Sequence, residues 1–206
     1  MILEFPCREY AGTIFDCDGT LVDSMPVHFR AWSRVLEEVN HPQTLSEEAF
    51  YALGGMPTDR LVEIFNERAG TSHDPTYLGA MKEKLYLDLL AEVPPIEPVV
   101  AYARSLAGRL PIAVASGGEF YVVDKALRAV GIHTLFEVVV TADQVEHGKP
   151  APDMFLLAAE RMGVEPTDCL VLEDAELGRQ AAVAAGMDCV MIPDAMERRM
   201  RPQTGD

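Results

Sequence analysis

A chain of 206 residues has room for one large domain, or for a core domain carrying a smaller insert. With 49% hydrophobic residues it can fill a core, while a net charge of −16 argues against a nucleic-acid or anionic-membrane surface. No apolar run is long enough to cross a bilayer. Met1-Ile2-Leu3-Glu4 has neither the charged nor the apolar region of a signal peptide, so a cytoplasmic location is expected. The cysteines Cys7, Cys17, Cys169 and Cys189 form no C-x-x-C pair, which suits a reducing compartment. Cys169 and Cys189 fall in apolar runs and read as small buried hydrophobes. A chain this acidic needs a local cluster to capture an anionic substrate, with a metal ion as the obvious help.

In chain order, Tyr10 to Phe15 is apolar and β-prone and reads as a buried strand. It runs into Asp16 and Asp18, with Gly19 and Thr20 next. After Ser24 the spacing becomes helical: Pro26 suits a first turn, and Phe29, Trp32, Val35, Leu36 and Val39 share a face. Asn40-His41-Pro42 ends that helix. Ser46-Glu47-Glu48 opens a short second helix, and Gly54-Gly55-Met56-Pro57-Thr58 breaks the pattern. A third helix ends near Gly70, and a fourth runs from about Pro75 to Ala91. Residues 25–92 therefore predict a four-helix insert, a cap, between two parts of a core made of residues 1–24 and 93–206.

Val93-Pro94-Pro95-Ile96-Glu97-Pro98 is a stiff connector. Beyond it helices alternate with strands at Pro111–Ala115, Phe136–Val140, Cys169–Leu172 and Asp188–Ile192. Continuous apolar strands alternating with helices predict a doubly wound α/β fold, a parallel sheet covered on both faces. Such sheets hold ligands at the carboxyl ends of their strands. From Asp194 on, with Arg198, Arg199 and Arg201, the sequence reads as a frayed polar tail.

The strand ends carry the chemistry. Adjacent carboxylates are costly to bury unless a metal or cationic group sits there. Residues two apart on an extended chain point the same way, so Asp16 and Asp18 can face one centre; a polar turn is the plainer reading. Ser116-Gly117-Gly118-Glu119 offers a hydroxyl and backbone N–H groups to an anion, or simply caps a helix. In His147-Gly148-Lys149-Pro150, Pro150 biases Lys149 towards an extended backbone. As a point charge Lys149 can bind phosphate and keep Asp16 ionised. Glu173-Asp174 again caps an apolar strand with acids. Four carboxylates on one rim call for a hard cation with oxygen ligands, and Mg²⁺ fits.

Together D-x-D-G-T at 16–20, Ser116, G-K-P at 148–150 and E-D at 173–174 resemble the four motifs of haloacid dehalogenase superfamily phosphatases, in the family's order. The helical insert resembles the small cap of the first cap class. Asp23-Ser24, His28, Ala31-Trp32, Gly54-Gly55 and Lys149 to Asp153 resemble two groups within it: β-phosphoglucomutase, and bacterial phosphatases acting on fructose-1-phosphate and 6-phosphogluconate.

The resemblance implies that Asp16 attacks phosphorus and becomes an aspartyl-phosphate, while Asp18 acts as general acid and then base. It implies Mg²⁺ on Asp16, the Asp18 carbonyl and Asp174, with Glu173 in contact with the ion or one step behind. Ser116, Gly117 and Lys149 would hold the phosphoryl oxygens. Thr20, His28, Gly54, Gly55, Lys82 and Gly118 are further candidates for substrate contacts. Trp32 is expected in the core, whereas His28 could equally be structural, and Lys82 a solvated helix lysine.

A small phosphorylated sugar or sugar acid is the expected partner, and a monomer is expected. Three alternatives stand beside hydrolysis. A mutase would need a cation on the second phosphate, and Gly55-Met56-Pro57-Thr58 supplies none, with Arg60 two residues beyond. A dehalogenase would need neither Asp18 nor a metal. A non-catalytic binder of a phosphorylated ligand or protein is the third, although no catalytic position is substituted. Ser116-Gly117-Gly118 carries fewer hydroxyls than usual, and Cys17 replaces a larger apolar residue.

Overall fold

Gly12–Phe15 forms β1, a fully buried strand at the centre of a five-stranded, all-parallel sheet. The computed structural model describes residue 1 and residues 3–200. Helices α1 (Met25–Glu38), α2 (Glu47–Tyr51), α3 (Thr58–Ala69) and α4 (Pro75–Asp88) come next, then α5 (Glu97–Leu106) and β2 (Ile112–Ser116). The second half alternates: α6 (Phe120–Ala129), β3 (Val138–Thr141), α7 (Asp153–Met162), β4 (Cys169–Glu173), α8 (Glu176–Ala184), β5 (Asp188–Met191) and α9 (Ala195–Met200). The strand order is β3-β2-β1-β4-β5. The chain builds outward from β1 on one side, then crosses to β4 and builds outward on the other. The seam between β1 and β4 is therefore the point where strand order reverses, and its carboxyl end is where such sheets bind ligands.

Alternate residues of each strand fill opposite layers. Phe15, Val114, Leu170 and Leu172 pack with Val99, Val123 and Leu127 on one face. Ile14, Ala113, Ala115 and Val171 pack with Met154, Phe155 and Ala181 on the other. The inserted helices have an apolar cluster of their own, built from Trp32, Val35, Leu36, Phe50, Leu61, Val62, Phe65 and Leu78. Trp32 meets Phe65 edge-on at 5.5 Å between ring centroids. Each large side chain so buried contributes about 1.5–3 kcal/mol relative to exposure. No helix among the described residues is long and apolar enough to cross a membrane.

The C-terminal segment departs from the expected frayed tail. Asp194 Oδ1 accepts a hydrogen bond from the Glu197 amide and caps a helical turn, and Ala195 is buried. Arg198 docks on the loop after β1, where it pairs with Asp23. A cationic side chain that finds a carboxylate and a backbone carbonyl in a partly buried place orders a segment whose composition alone suggests solvent. Arg201 lies outside the described residues.

Candidate active site

Asp16 extends the β1–β4 pairing one residue past β1: its amide donates to the Leu172 carbonyl at 2.9 Å. The chain then turns sharply. The amides of Leu21 and Val22 donate to the Cys17 carbonyl, and the Gly19 amide donates back to Val22. Gly19 has φ +84, and a Cβ there would lie 1.9 Å from Asp174 Oδ2, so only glycine lets this turn rest against Asp174. Extended alternation therefore does not orient Asp16 and Asp18. The turn sends their carboxylates to different partners.

Asp16 goes to Lys149. The lysine sits in the segment between β3 and α7, next to a cis peptide to Pro150, in a turn that the Ala151 amide closes by donating to the Gly148 carbonyl at 3.0 Å. Its Nζ donates to Asp16 Oδ1 at 2.6 Å and to Glu173 Oε1 at 2.7 Å, and lies 5.1 Å from the Phe155 ring centroid. All three charged residues are buried, Glu173 to 1% exposure. Glu173 is held from behind as well: Oε2 accepts from the Ala175 amide, and a Cβ on Gly178 would fall 1.7 Å from Oε1.

Burial dominates the electrostatics here. It pushes the Asp16 carboxyl up to about 7, with the Lys149 charge opposing and Glu173 adding to the rise. Burial, then Glu173 and Asp16, push Asp174 well above the carboxylate range. Burial disfavours the Lys149 charge, but Asp16 and Glu173 more than offset it, so the ammonium stays protonated. Asp16, Glu173 and Asp174 each offer a carboxylate oxygen, all within 4.8 Å of one another. Hard oxygen donors close together, with Asp16 and Asp174 driven towards protonation by burial first and by their acidic neighbours second, are a donor set that fits a divalent cation such as Mg²⁺.

Asp18 faces the inserted helices. Its Oδ1 accepts from Ser24 Oγ at 2.6 Å and lies 3.2 Å from His28 Nε2. Burial would raise this carboxyl, but the hydrogen bonds of His28 and Ser24 and the charge of Lys82 prevail and bring it down to about 2. His28 is itself pushed down by burial and by Lys82, against the pull of Asp18. Its ring stacks on Tyr86 at 3.9 Å between centroids, and Lys82 Nζ sits 5.5 Å from the Tyr86 ring centroid. Lys82 and Tyr86 are four apart on α4 and share a face, which is the signal that could have marked Tyr86.

The remaining candidates divide. Ser116 is buried at the end of β2, and its Oγ accepts from the Gly118 amide at 3.2 Å, so that amide is already engaged. Gly117 has open space where a Cβ would be. Thr20 is fully buried, with no hydrogen-bond partner for its hydroxyl among the described residues. Gly55, at φ +76, brings the insert against the core, where a Cβ would sit 3.2 Å from that of Ala175; Gly54 lies instead against the Tyr51 carbonyl. Arg60 is on the surface, donating to Glu63 and Glu67.

The chain has relatives among known proteins. The chain is 45% identical over 184 residues to the fructose-1-phosphate phosphatase YqaB of Escherichia coli K12, covering 89% of this chain and 96% of that protein. It is 31% identical to the β-phosphoglucomutase of Bacillus subtilis 168, over 86% of this chain and 80% of the mutase. Its fold superposes on CbbY from Rhodobacter sphaeroides, solved in complex with phosphate, with a TM-score of 0.81 at 22% identity, covering 96% of this chain and 92% of that one. The model of the haloacid dehalogenase-like hydrolases matches residues 10–186. With the strand-end acids and the inserted helices in place, this chain belongs to the haloacid dehalogenase-like hydrolase family.

Proposed function

We propose that the chain is a Mg²⁺-dependent phosphatase of small sugar phosphates, of the fructose-1-phosphate or 6-phosphogluconate type, working through an aspartyl-phosphate on Asp16. The observation that carries this reading is the pair of carboxylates with opposite surroundings. Asp16 is paired with Lys149 beside Glu173 and Asp174, while Asp18 is held apart by Ser24 and His28. Two acids of one site tuned in different directions serve different roles. The likeness to a fructose-1-phosphate phosphatase supports the substrate class.

An Asp16 carboxylate oxygen attacks phosphorus as the bond to the sugar oxygen breaks. Lys149 and the Ser116–Gly117 corner hold the phosphoryl oxygens. Asp18 is ionised in the free protein, and a phosphoryl group beside it raises its proton affinity. It delivers the proton to the leaving sugar oxygen, then takes one from the water that attacks the phosphoenzyme, releasing inorganic phosphate and restoring Asp16. Asp16, the Asp18 carbonyl and Asp174 would hold Mg²⁺, which when bound neutralises charge on the transferring phosphoryl group. Glu173 anchors Lys149 and stands beside the ion, with an oxygen within 4.8 Å of those of Asp16 and Asp174. Residues 25–92, with their separate apolar cluster, act as the cap that brings His28 and Lys82 over the substrate. The protein works as a cytoplasmic monomer.

A mutase is the weaker alternative, since Arg60 is tied up by Glu63 and Glu67. A panel of sugar and sugar-acid phosphates, assayed for released phosphate with Mg²⁺, tests the proposal. Turnover concentrated in ketose phosphates or sugar-acid phosphates is expected; no release from any member would overturn it.

A further inference from the structure

Helix α9 lies beyond residues 10–186, the span that matches the family, yet it makes a specific polar contact with the reaction loop. The Arg198 guanidinium donates to the Gly19 carbonyl at 3.2 Å, to Asp23 Oδ1 at 2.6 Å and to the Pro193 carbonyl. The pair is partly sheltered, with side-chain exposures of 15% for Arg198 and 29% for Asp23. On its other side Asp23 is fixed through its amide, which donates to the Pro94 carbonyl at 2.9 Å.

The contact matters because Asp23 leads directly into the partners of Asp18. Ser24 is the next residue and the N-terminal flank of α1, and His28 lies one helical turn further on. Those are the two side chains that meet Asp18 Oδ1. Gly19, the other end of the Arg198 contact, is the neighbour of Asp18 in the chain. One guanidinium thus grips the Asp18 turn both just after the acid and just before its partners. A planar fork of donors suits this two-point grip, and a lysine reaches only one point. Arg199 adds a tie to Glu47 of α2 at 2.9 Å, but that pair is solvent-exposed and contributes little.

We infer that Arg198 is a positioning residue for Asp18: by gripping Gly19 and Asp23 it sets the loop and the start of α1 so that Ser24 and His28 hold the acid where protons are exchanged. The inference rests on the proposed role of Asp18 as proton donor to a sugar leaving group.

The test compares two substrates for each variant. One is the sugar phosphate that the wild type turns over fastest, whose alkoxide leaving group needs a proton. The other is p-nitrophenyl phosphate, whose leaving group does not. Arg198→Ala is expected to slow first-turnover release of the sugar about 10-fold or more while slowing the first-turnover burst of p-nitrophenol by about 2-fold or less, because only the sugar oxygen needs a placed acid; hydrolysis of the shared phosphoenzyme, where Asp18 acts as base, slows alike for both and falls outside the comparison. Arg198→Lys recovers part of the loss. Asp23→Asn, which weakens the same pair from its other end, reproduces the split and carries the test if Arg198→Ala does not fold. An equal loss of first-turnover rate on both substrates, or no loss in a folded variant, overturns the inference. Asp18→Asn is the control: if it too fails to separate the substrates, the assignment of Asp18 as proton donor is wrong and the inference falls with it.

Discussion

Lys149 and Asp16 are 133 residues apart in the chain and 2.6 Å apart at their charged atoms, with Glu173 as the lysine's second partner at 2.7 Å. One ammonium thus balances two buried carboxylates. Removing it leaves both uncompensated, and breaking such a buried pair costs about 3–5 kcal/mol. Lys149→Met is therefore expected to unfold at a markedly lower temperature in the absence of divalent ions, and to regain part of the loss when Mg²⁺ is added. Its turnover should fall by about 10²-fold or more, as for other lost groups that stabilise transition-state charge. A variant with unchanged melting temperature would show that Lys149 does not offset the acids.

The same acids set a pH dependence. Asp16 titrates near 7 in the folded protein against an ordinary value of 3.8, and Asp174 is raised as well. A raised carboxyl holds protons that the unfolded chain has lost. These two groups therefore cost stability progressively as pH rises from about 4 through about 7. An ion that binds the ionised carboxylates must displace those protons. The increase in melting temperature on adding Mg²⁺ should consequently be small at pH 5 and grow through pH 7 to 8. An increase independent of pH would mean that the ion binds elsewhere.

Product analysis separates hydrolysis from phosphoryl transfer between positions of one sugar. A mutase must grip a second phosphate, and the Gly55–Thr58 corner offers no cation while Arg60 is paired with glutamates. With β-glucose-1-phosphate, Mg²⁺ and a catalytic amount of the bisphosphate, inorganic phosphate should form faster than glucose-6-phosphate. Accumulation of glucose-6-phosphate without matching phosphate would contradict the hydrolase. Lys82→Ala and Arg60→Ala would then identify the cation responsible.

Much of this was legible in the sequence because buried parallel strands are apolar runs, and acids at their ends stand out. β1, β4 and the pairs Asp16/Asp18 and Glu173/Asp174 emerge from that contrast alone. The direction each acid faces does not. It depends on the turn that Cys17 begins and Gly19 permits, which brings Ser24 back to Asp18. Tyr86 looks like any aromatic on a helix until His28, from another helix, stacks on it. The role of Arg198 was hidden for a different reason. A helix of six residues has too little periodicity to read, and its docking partner Asp23 lies 175 positions away.

Chemical trapping of the intermediate tests the central claim most directly. Protein quenched during turnover of its best sugar phosphate is treated with borohydride, which reduces an acyl phosphate of aspartate to homoserine, and the peptide spanning residue 16 is analysed by mass spectrometry. Homoserine at position 16, absent from Asp16→Asn and from protein quenched without substrate, is the predicted result. Homoserine at another aspartate, or none under conditions where the phosphoenzyme must accumulate, would contradict Asp16 as the nucleophile.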